Sequence, residues 1–382
     1  MLEFPERGDS AVLVGLDFGD PDYVDSLEEL RQLAVSARIA PCGVVSGRRA
    51  KPDPALFAGT GKTDELAAAV AATGAGLVIF NHNLSPVQQR NLERRLDCWV
   101  LDRTGLILEI FAQRAVSHEG KLQVELARLQ HRATRLVRGW THLERQKGGI
   151  GLRGGPGETQ LESDRRLLAK RVKLLKDRLA RLQRQRKVRR RARERRDVLR
   201  VSLVGYTNAG KTTLFNALAN AKGYVADQLF ATLDTTSRRV YLGEGRFAVL
   251  SDTVGFIREL PHTLVAAFRA TLEETAEADL LLHVVDAHHP QRDAQIAEVN
   301  RVLEEIGAKH IPQLLVWNKT DLTGIPAGLE RDAYGKIPRV RISARTQEGL
   351  DLLRQALREQ ALGDDGALAD AFAEPVWAAA GR

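Results

Sequence analysis

The sequence predicts an α/β protein built from a small N-terminal α/β domain, a long antiparallel helical hairpin and a C-terminal P-loop domain with a mostly parallel sheet. Three observations carry that prediction. Short apolar runs alternate with helical stretches over residues 11–114, two leucine seams flank a glycine-rich run, and a glycine-lysine-threonine loop follows an apolar strand near residue 205. At roughly 100 to 200 residues per domain, 382 residues suit two or three domains rather than one module.

The N-terminal part, residues 1–117, reads in order. AVLVGLDF (11–18), CGVVSG (42–47), GLVIFN (76–81) and CWVLD (98–102) are strands, separated by helices over 25–38, 62–74, 85–96 and 104–114. Strands that alternate with helices make a largely parallel sheet. AGTGKTDEL (58–66) looks like a phosphate loop, but the GxxxxGKT spacing requires glycine at position 56, where Leu56 stands. It reads as a glycine turn leading into a helix; a second nucleotide site at Lys62 is the weaker alternative. Cys42 and Cys98, the only cysteines, lie inside strand-like runs and read as buried, reduced thiols rather than a disulfide framework.

Residues 118–197 form the hairpin. Leu122, Leu126, Leu129, Ala133 and Leu136 recur at alternating spacings of 4 and 3, as do Leu168, Val172, Leu175, Leu179 and Leu182. Pairing the two seams in antiparallel order gives index sums of 304 or 305 throughout, so the chain folds back at residue 152. That position lies in KGGIGLRGGPGET (147–159), whose six glycines and one proline stop a helix. The second helix, about 160–196, projects beyond a small domain.

Charge supports a polyanionic partner. The net charge is +8, but residues 121–200 hold 26 Lys or Arg against 8 Asp or Glu, a local +18 that leaves −10 elsewhere. Such segregation points to nucleic acid met by one part of the molecule, with a solvated charged helix as the alternative. In RLQRQRKVRRRARERR (181–196) Glu194 is the only acid, so packed like charges repel unless something neutralises them. Hydrophobic residues at 43% exclude wholesale disorder. No apolar run approaches the roughly 18 to 20 residues of a membrane span. The N-terminus, MLEFPERGDS, lacks a signal pattern, so a cytoplasmic protein with no membrane partner is expected.

Residues 198–362 carry the chemistry. The strand 201–204 runs into Gly205, Tyr206, Thr207, Asn208, Ala209, Gly210, Lys211 and Thr212 and then a helix. Glycines let backbone amides wrap phosphates, Lys211 reaches the β and γ oxygens, and Thr212 suits Mg2+. Asp252, Thr253, Val254 and Gly255 follow another apolar run, which places an acid for Mg2+ at a strand end and a glycine amide near the γ-phosphate. LLVWNKTD (314–321) puts Asn318, Lys319, Thr320 and Asp321 after a further strand. A carboxylate at 321 accepts from the ring N–H and the 2-amino group of guanine, a donor pair adenine lacks. In VRISA (340–344) the strand ends at Ser343 and Ala344, beside Arg345, where a backbone amide meets the guanine 6-oxygen. GTP is the expected substrate.

This order of GYTNAGKT, FATLDTT, DTVGFI, NKTD and SA resembles the translation-factor class of GTPases, and FATLD with DTVGFIRELPH resembles the HflX family in particular. GGIGLRGGPGETQLESDRR (148–166) and LSPVQQRNLE (84–93) are similar to that family's N-terminal region, so the resemblance spans nearly the whole chain. It implies a P-loop GTPase that binds the large ribosomal subunit, a hairpin directed at ribosomal RNA, and the splitting of stalled or idle ribosomes. A large-subunit assembly or quality-control factor that uses GTP as a timer is the alternative. A monomer is expected when free. By the same matching Phe230, Ala231, Thr232, Leu233 and Asp234 border the nucleotide, with Thr232 sensing the γ-phosphate and joining the Mg2+ shell; Thr235 and Thr236 lie close by. Lys211, Thr232 and Gly255 are the expected catalytic set. Asn208 stands where related GTPases hold a monovalent cation, which implies K+; hydrogen bonds that stabilise the loop are the alternative. Phe256 replaces a glutamine that orients water in many small GTPases, so hydrolysis is expected to be slow alone and stimulated by ribosomes. After a helix over 346–362, residues 363–382 read as an acidic, alanine-rich tail where some relatives carry a fuller C-terminal domain.

Overall fold

The computed structural model describes residues 10–139, 156–191, 198–220, 229–258 and 269–371. They fall into two compact units. The first comprises the described residues up to 191 together with 229–234 and 269–270, and the second comprises 198–220, 235–258 and 271–371.

The first unit opens with a four-stranded sheet of β1 (Ser10–Asp17), β2 (Ala40–Arg48), β3 (Leu77–Phe80) and β4 (Trp99–Leu101) in the order β2-β1-β3-β4, with every pairing parallel. Its connections are α1 (Tyr23–Ser36), α2 (Thr60–Thr73) and α3 (Pro86–Leu96), followed after β4 by α4 (Arg103–Arg114). Central strands of a parallel sheet are covered on both faces and read as continuous apolar runs. Val12 to Val14 and Val78 to Phe80 are accordingly buried completely. Helix α3 starts with a capping box in which Ser85 accepts from the Gln88 amide and Gln88 accepts from the Ser85 amide. Helix α2 begins after Gly59, whose φ of +80° favours glycine, and Lys62 in its first turn donates to the Ser46 carbonyl at 2.9 Å and pairs with Glu65.

Two expectations about the cysteines are corrected. Cys42 is exposed: it lies on the edge strand β2, most of whose residues are exposed or only partly buried. Cys98 is only partly buried, and burial, with Glu93 and Asp97 nearby, pushes its thiol up to about 11. Both are free thiols.

Helices α5 (His118–Gly139) and α6 (Pro156–Arg191) make the hairpin. Leu122, Leu126, Leu175 and Leu179 are buried against one another, with Leu129, Val172 and Leu182 beside them. The leucine seams therefore meet, and the pairing of Arg171 with Glu125 joins the same two helices. Helix α6 starts at Pro156, four residues earlier than expected, since proline suits the first helical turn. Its 36 residues span roughly 54 Å at 1.5 Å per residue. The tip around residue 152 and the stretch 192–197 lie outside the described residues.

The second unit contains a seven-stranded sheet in the order β10-β11-β9-β8-β5-β7-β6. Its strands are β5 (Leu199–Val204), β6 (Thr236–Gly243), β7 (Arg246–Asp252), β8 (Leu280–Asp286), β9 (Gln313–Asn318), β10 (Gly328–Glu330) and β11 (Arg339–Arg341). Only the two edge pairings, β6 with β7 and β10 with β11, are antiparallel. Helices α7 (Lys211–Ala219), α8 (Arg269–Ala276), α9 (Arg292–Glu305) and α10 (Leu350–Ala371) follow their strands. The last helix differs from the expected 346–362. Gln347 and Gly349 have φ of +65° and +78°, which delays its start. Its alanine-rich continuation into the expected tail keeps it helical to Ala371. Among the described residues no helix is long and apolar enough to cross a membrane.

Candidate nucleotide site

The loop after β5 has the backbone that its glycines permit. Gly205 has φ of +147°, and a Cβ there would collide with the Val284 carbonyl of β8; Gly210 has φ of +93°, and a Cβ there would strike the Asn318 amide. Asn208, exposed at the crest, also lies in the left-handed region, with φ of +61°. The loop is tied down from below: the Thr207 amide donates to the Phe256 carbonyl at 2.7 Å and the Phe256 amide to the Gly205 carbonyl at 3.1 Å. Phe256 itself is buried completely. Its ring is a packing element, and its backbone fastens residues 252–256 to the loop. Tyr206 adds a bond from the other direction, its hydroxyl accepting from the Arg258 amide at 2.8 Å.

Lys211 opens α7 and is 6% exposed. Its ammonium donates to the Gly205 and Tyr206 carbonyls at 3.1 and 2.8 Å. Burial pulls its pKa down to about 8, against the opposing pull of Asp252. Below it in β8, His283 is held neutral, its pKa lowered to about 4 by burial despite a contact with Gln313. Gly255 packs so tightly that a Cβ would lie 2.9 Å from the Lys211 ammonium and 2.9 Å from the Thr207 methyl. The Thr212 hydroxyl donates to the buried Asp252 carboxylate at 2.8 Å, and Thr253 donates to the Leu203 carbonyl at 2.6 Å. Val254 is buried beside them.

Asn318 joins two loops that are far apart in sequence. Its side-chain amide donates to the Ala209 carbonyl, and its oxygen accepts from the Ala344 amide, each at 2.9 Å. Lys319, with φ of +66°, sends its ammonium to Asp286 at the end of β8, 2.7 Å away. Asp321 is exposed and accepts from the buried Ser343 hydroxyl at 2.7 Å. Thr320 is buried beneath it, and Arg345 is exposed just past Ala344. The strand stops at Arg341, so Ser343 and Ala344 stand in the turn beyond it rather than at its last residues. Asp286 and the double role of Asn318 escaped the sequence reading. An acid closing the apolar run LLHVV was the available signal for the first; nothing in the sequence signals the second, which depends on sheet order.

Phe230, Ala231, Thr232, Leu233 and Asp234 are held within the first unit instead of the second. There Leu229, Phe230 and Leu233 are buried.

What this arrangement can do follows from its parts. Amides, a buried ammonium and a hydroxyl-carboxylate pair converge on one loop at the carboxyl ends of parallel strands, which is where such sheets bind nucleotides. Hydroxyl and carboxylate oxygens suit a small hard cation. Among the described residues no three acidic, His or Cys side chains cluster as a metal cage.

Comparison with known proteins agrees. Residues 24–112 match the family model "GTP-binding GTPase N-terminal", 114–193 "GTP-binding GTPase Middle Region" and 200–319 "50S ribosome-binding GTPase". The chain is 56% identical over 365 residues to GTPase HflX of Escherichia coli, covering 95% of this chain and 85% of that one. It is 49% identical over 363 residues to GTPase HflX of Magnetococcus marinus, covering 94% and 83%. A crystal structure of SsGBP in complex with GDP is similar in fold, with a TM-score of 0.51, 24% identity, and coverage of 93% of this chain and 99% of that one.

Proposed function

Because the chain belongs to the HflX family of GTPases, we propose that this GTP-hydrolysing protein binds the large ribosomal subunit through its basic hairpin and splits stalled or idle ribosomes into subunits. The observation that carries the reading is a buried leucine seam holding together two helices of a segment with net charge +18, in a chain of a GTPase family. Polyanion binding gives such a segment a purpose that a stability argument does not.

In this reading Gly205 to Thr212 cradle the phosphates and Asp321 reads the guanine edge; the Ala344 amide donates to the Asn318 oxygen in this structure and would turn from it to meet the 6-oxygen. Thr212 and Asp252 would hold Mg2+, which supplies charge neutralisation at the phosphates, and Thr232 would join them. Lys211, already desolvated, interacts strongly with phosphate charge because little solvent screens it. Gly255 brings its backbone amide toward the γ-phosphate, where the close packing against Lys211 and Thr207 leaves no room for a side chain. Phe256 cannot polarise water from its buried position, so turnover is slow until the ribosome completes the site. Asn208 at the crest of the loop is the ligand proposed for K+.

The test is sedimentation of intact ribosomes with the protein and GTP. Conversion to subunits supports splitting. Stable co-sedimentation of the protein with large subunits, leaving intact ribosomes undivided, would instead favour an assembly or quality-control factor.

A further inference from the structure

Residues 229–234 are claimed twice. Their sequence is the segment expected to close over the γ-phosphate, yet they group with the first unit. The Leu229 amide donates to the Ser36 hydroxyl at the end of α1, 2.9 Å away, and that hydroxyl is buried. The Phe230 ring packs edge-on to Phe111 of α4, with centroids 4.8 Å apart. Asp234 binds the start of α5: its carboxylate accepts the Val116 and Ser117 amides, each at 2.8 Å, and the Ser117 hydroxyl. A carboxylate on free amides at a helix N-terminus is favoured by both hydrogen bonding and the helix dipole. Gly120, in the first turn of α5, makes room for it, because a Cβ there would collide with the Asp234 carboxylate.

We infer that the base of the hairpin, formed by Ser36, Phe111, Val116, Ser117 and Gly120, is a docking site for residues 229–234, and that docking competes with closure over the γ-phosphate. GTP must then draw the segment from this site, and GDP, having no γ-phosphate, does not. The docked population lowers apparent GTP affinity by the fraction of molecules it holds. The inference rests on the proposal that Thr232 contacts the γ-phosphate, and the experiment separates the two.

Variants on the receiving side leave the nucleotide loops untouched. Gly120→Ala displaces the Asp234 carboxylate, and alanine is a better helix former than glycine, so α5 is not weakened by the change itself. Ser36→Ala removes the acceptor of the Leu229 amide. Binding of a non-hydrolysable GTP analogue and of GDP is measured on the full chain for both, beside Thr232→Ala. Docking predicts that Gly120→Ala binds the analogue about three- to tenfold more tightly, Ser36→Ala more tightly by a smaller factor, and GDP within about twofold of wild type. If Thr232→Ala weakens the analogue while neither docking variant changes it, the docking site is wrong and the assignment of Thr232 survives. If Thr232→Ala changes nothing, both fall. Hydrogen exchange on the wild type needs no variant: the amides of Val116, Ser117 and Leu229 should exchange faster with the GTP analogue than with GDP, and equal exchange overturns the inference.

Discussion

At the scale of single residues, the base-reading role of Asp321 is open to a direct exchange. Its carboxylate is exposed and steadied by the Ser343 hydroxyl, a geometry that leaves an acceptor edge for a purine. Asp321→Asn should weaken GTP and improve xanthosine triphosphate, because donor and acceptor swap together. One charge-assisted pair is worth about 1.5 to 3 kcal/mol, which is roughly tenfold to more than a hundredfold in affinity. Titration of both nucleotides on both proteins decides it, and an unchanged preference would remove Asp321 from the site. Lys211 predicts a pH dependence. Its folded pKa of about 8 lies below the ordinary lysine value of 10.5. The unfolded chain therefore holds the proton more tightly, and burial of the charge opposes folding fully below pH 8. This cost fades as pH rises from 8 toward 10.5. Lys211→Met should stabilise the free protein at pH 7 by roughly 1 to 3 kcal/mol while abolishing GTP binding. Thermal melts at pH 7 and pH 10 test the sign, since the gain should shrink at the higher pH.

At the scale of elements, the hairpin depends on few contacts. Leu175 is buried completely between α5 and α6 while most of its neighbours on α6 face solvent. Leu175→Ala should cost about 2 to 5 kcal/mol of local stability. Hydrogen exchange that rises in α5 and α6 but not in β5 to β9 is the expected pattern; a uniform rise would mean that the hairpin unfolds only with the rest. The charged end of α6 makes a different prediction. Replacing Arg184, Arg186 and Lys187 by Ala should weaken ribosome binding and flatten its salt dependence, since each lost phosphate contact removes a term of about 0.7 to 0.9 from the logarithmic slope. Gly154 and Gly155 made bulky should impair splitting with GTP binding intact. Binding at several KCl concentrations, with nucleotide titration on each variant, separates charge from fit. A basic triple variant with an unchanged salt slope would show that this face is neutralised within the protein.

At the scale of the whole molecule, the energy of GTP is useful only if turnover waits for the partner. With Phe256 buried and pinned by its backbone, the protein alone should hydrolyse GTP slowly, and large subunits should accelerate it. Replacing KCl by NaCl should lower both rates if Asn208 holds K+. Phosphate release with and without subunits checks each statement. Hydrolysis that is fast alone and indifferent to subunits would sink the idea of a site completed by its partner.

Much of this protein follows from sequence because its signals are local or strictly periodic. Strands β1 to β4, β5, β7 and β9 are apolar runs bounded by turn residues, and Gly205 to Thr212 carry their conformation in their own glycines. That Leu122 and Leu126 would meet Leu175 and Leu179 could be read because a coiled coil repeats every seven residues. What sequence left undecided depended on contacts between distant segments. That β2 is an edge strand, which exposes Cys42, is a matter of strand order. Asn318 bridges Ala209 and Ala344 because parallel pairing aligns the ends of β5, β8 and β9, and no local pattern encodes that alignment. The fate of residues 229–234 is the clearest case. Their motif announces a nucleotide, whereas the partners of Asp234 lie more than a hundred positions away at the start of α5. A carboxylate bonds to whichever amides folding brings within about 3 Å, and only the tertiary structure decides which those are.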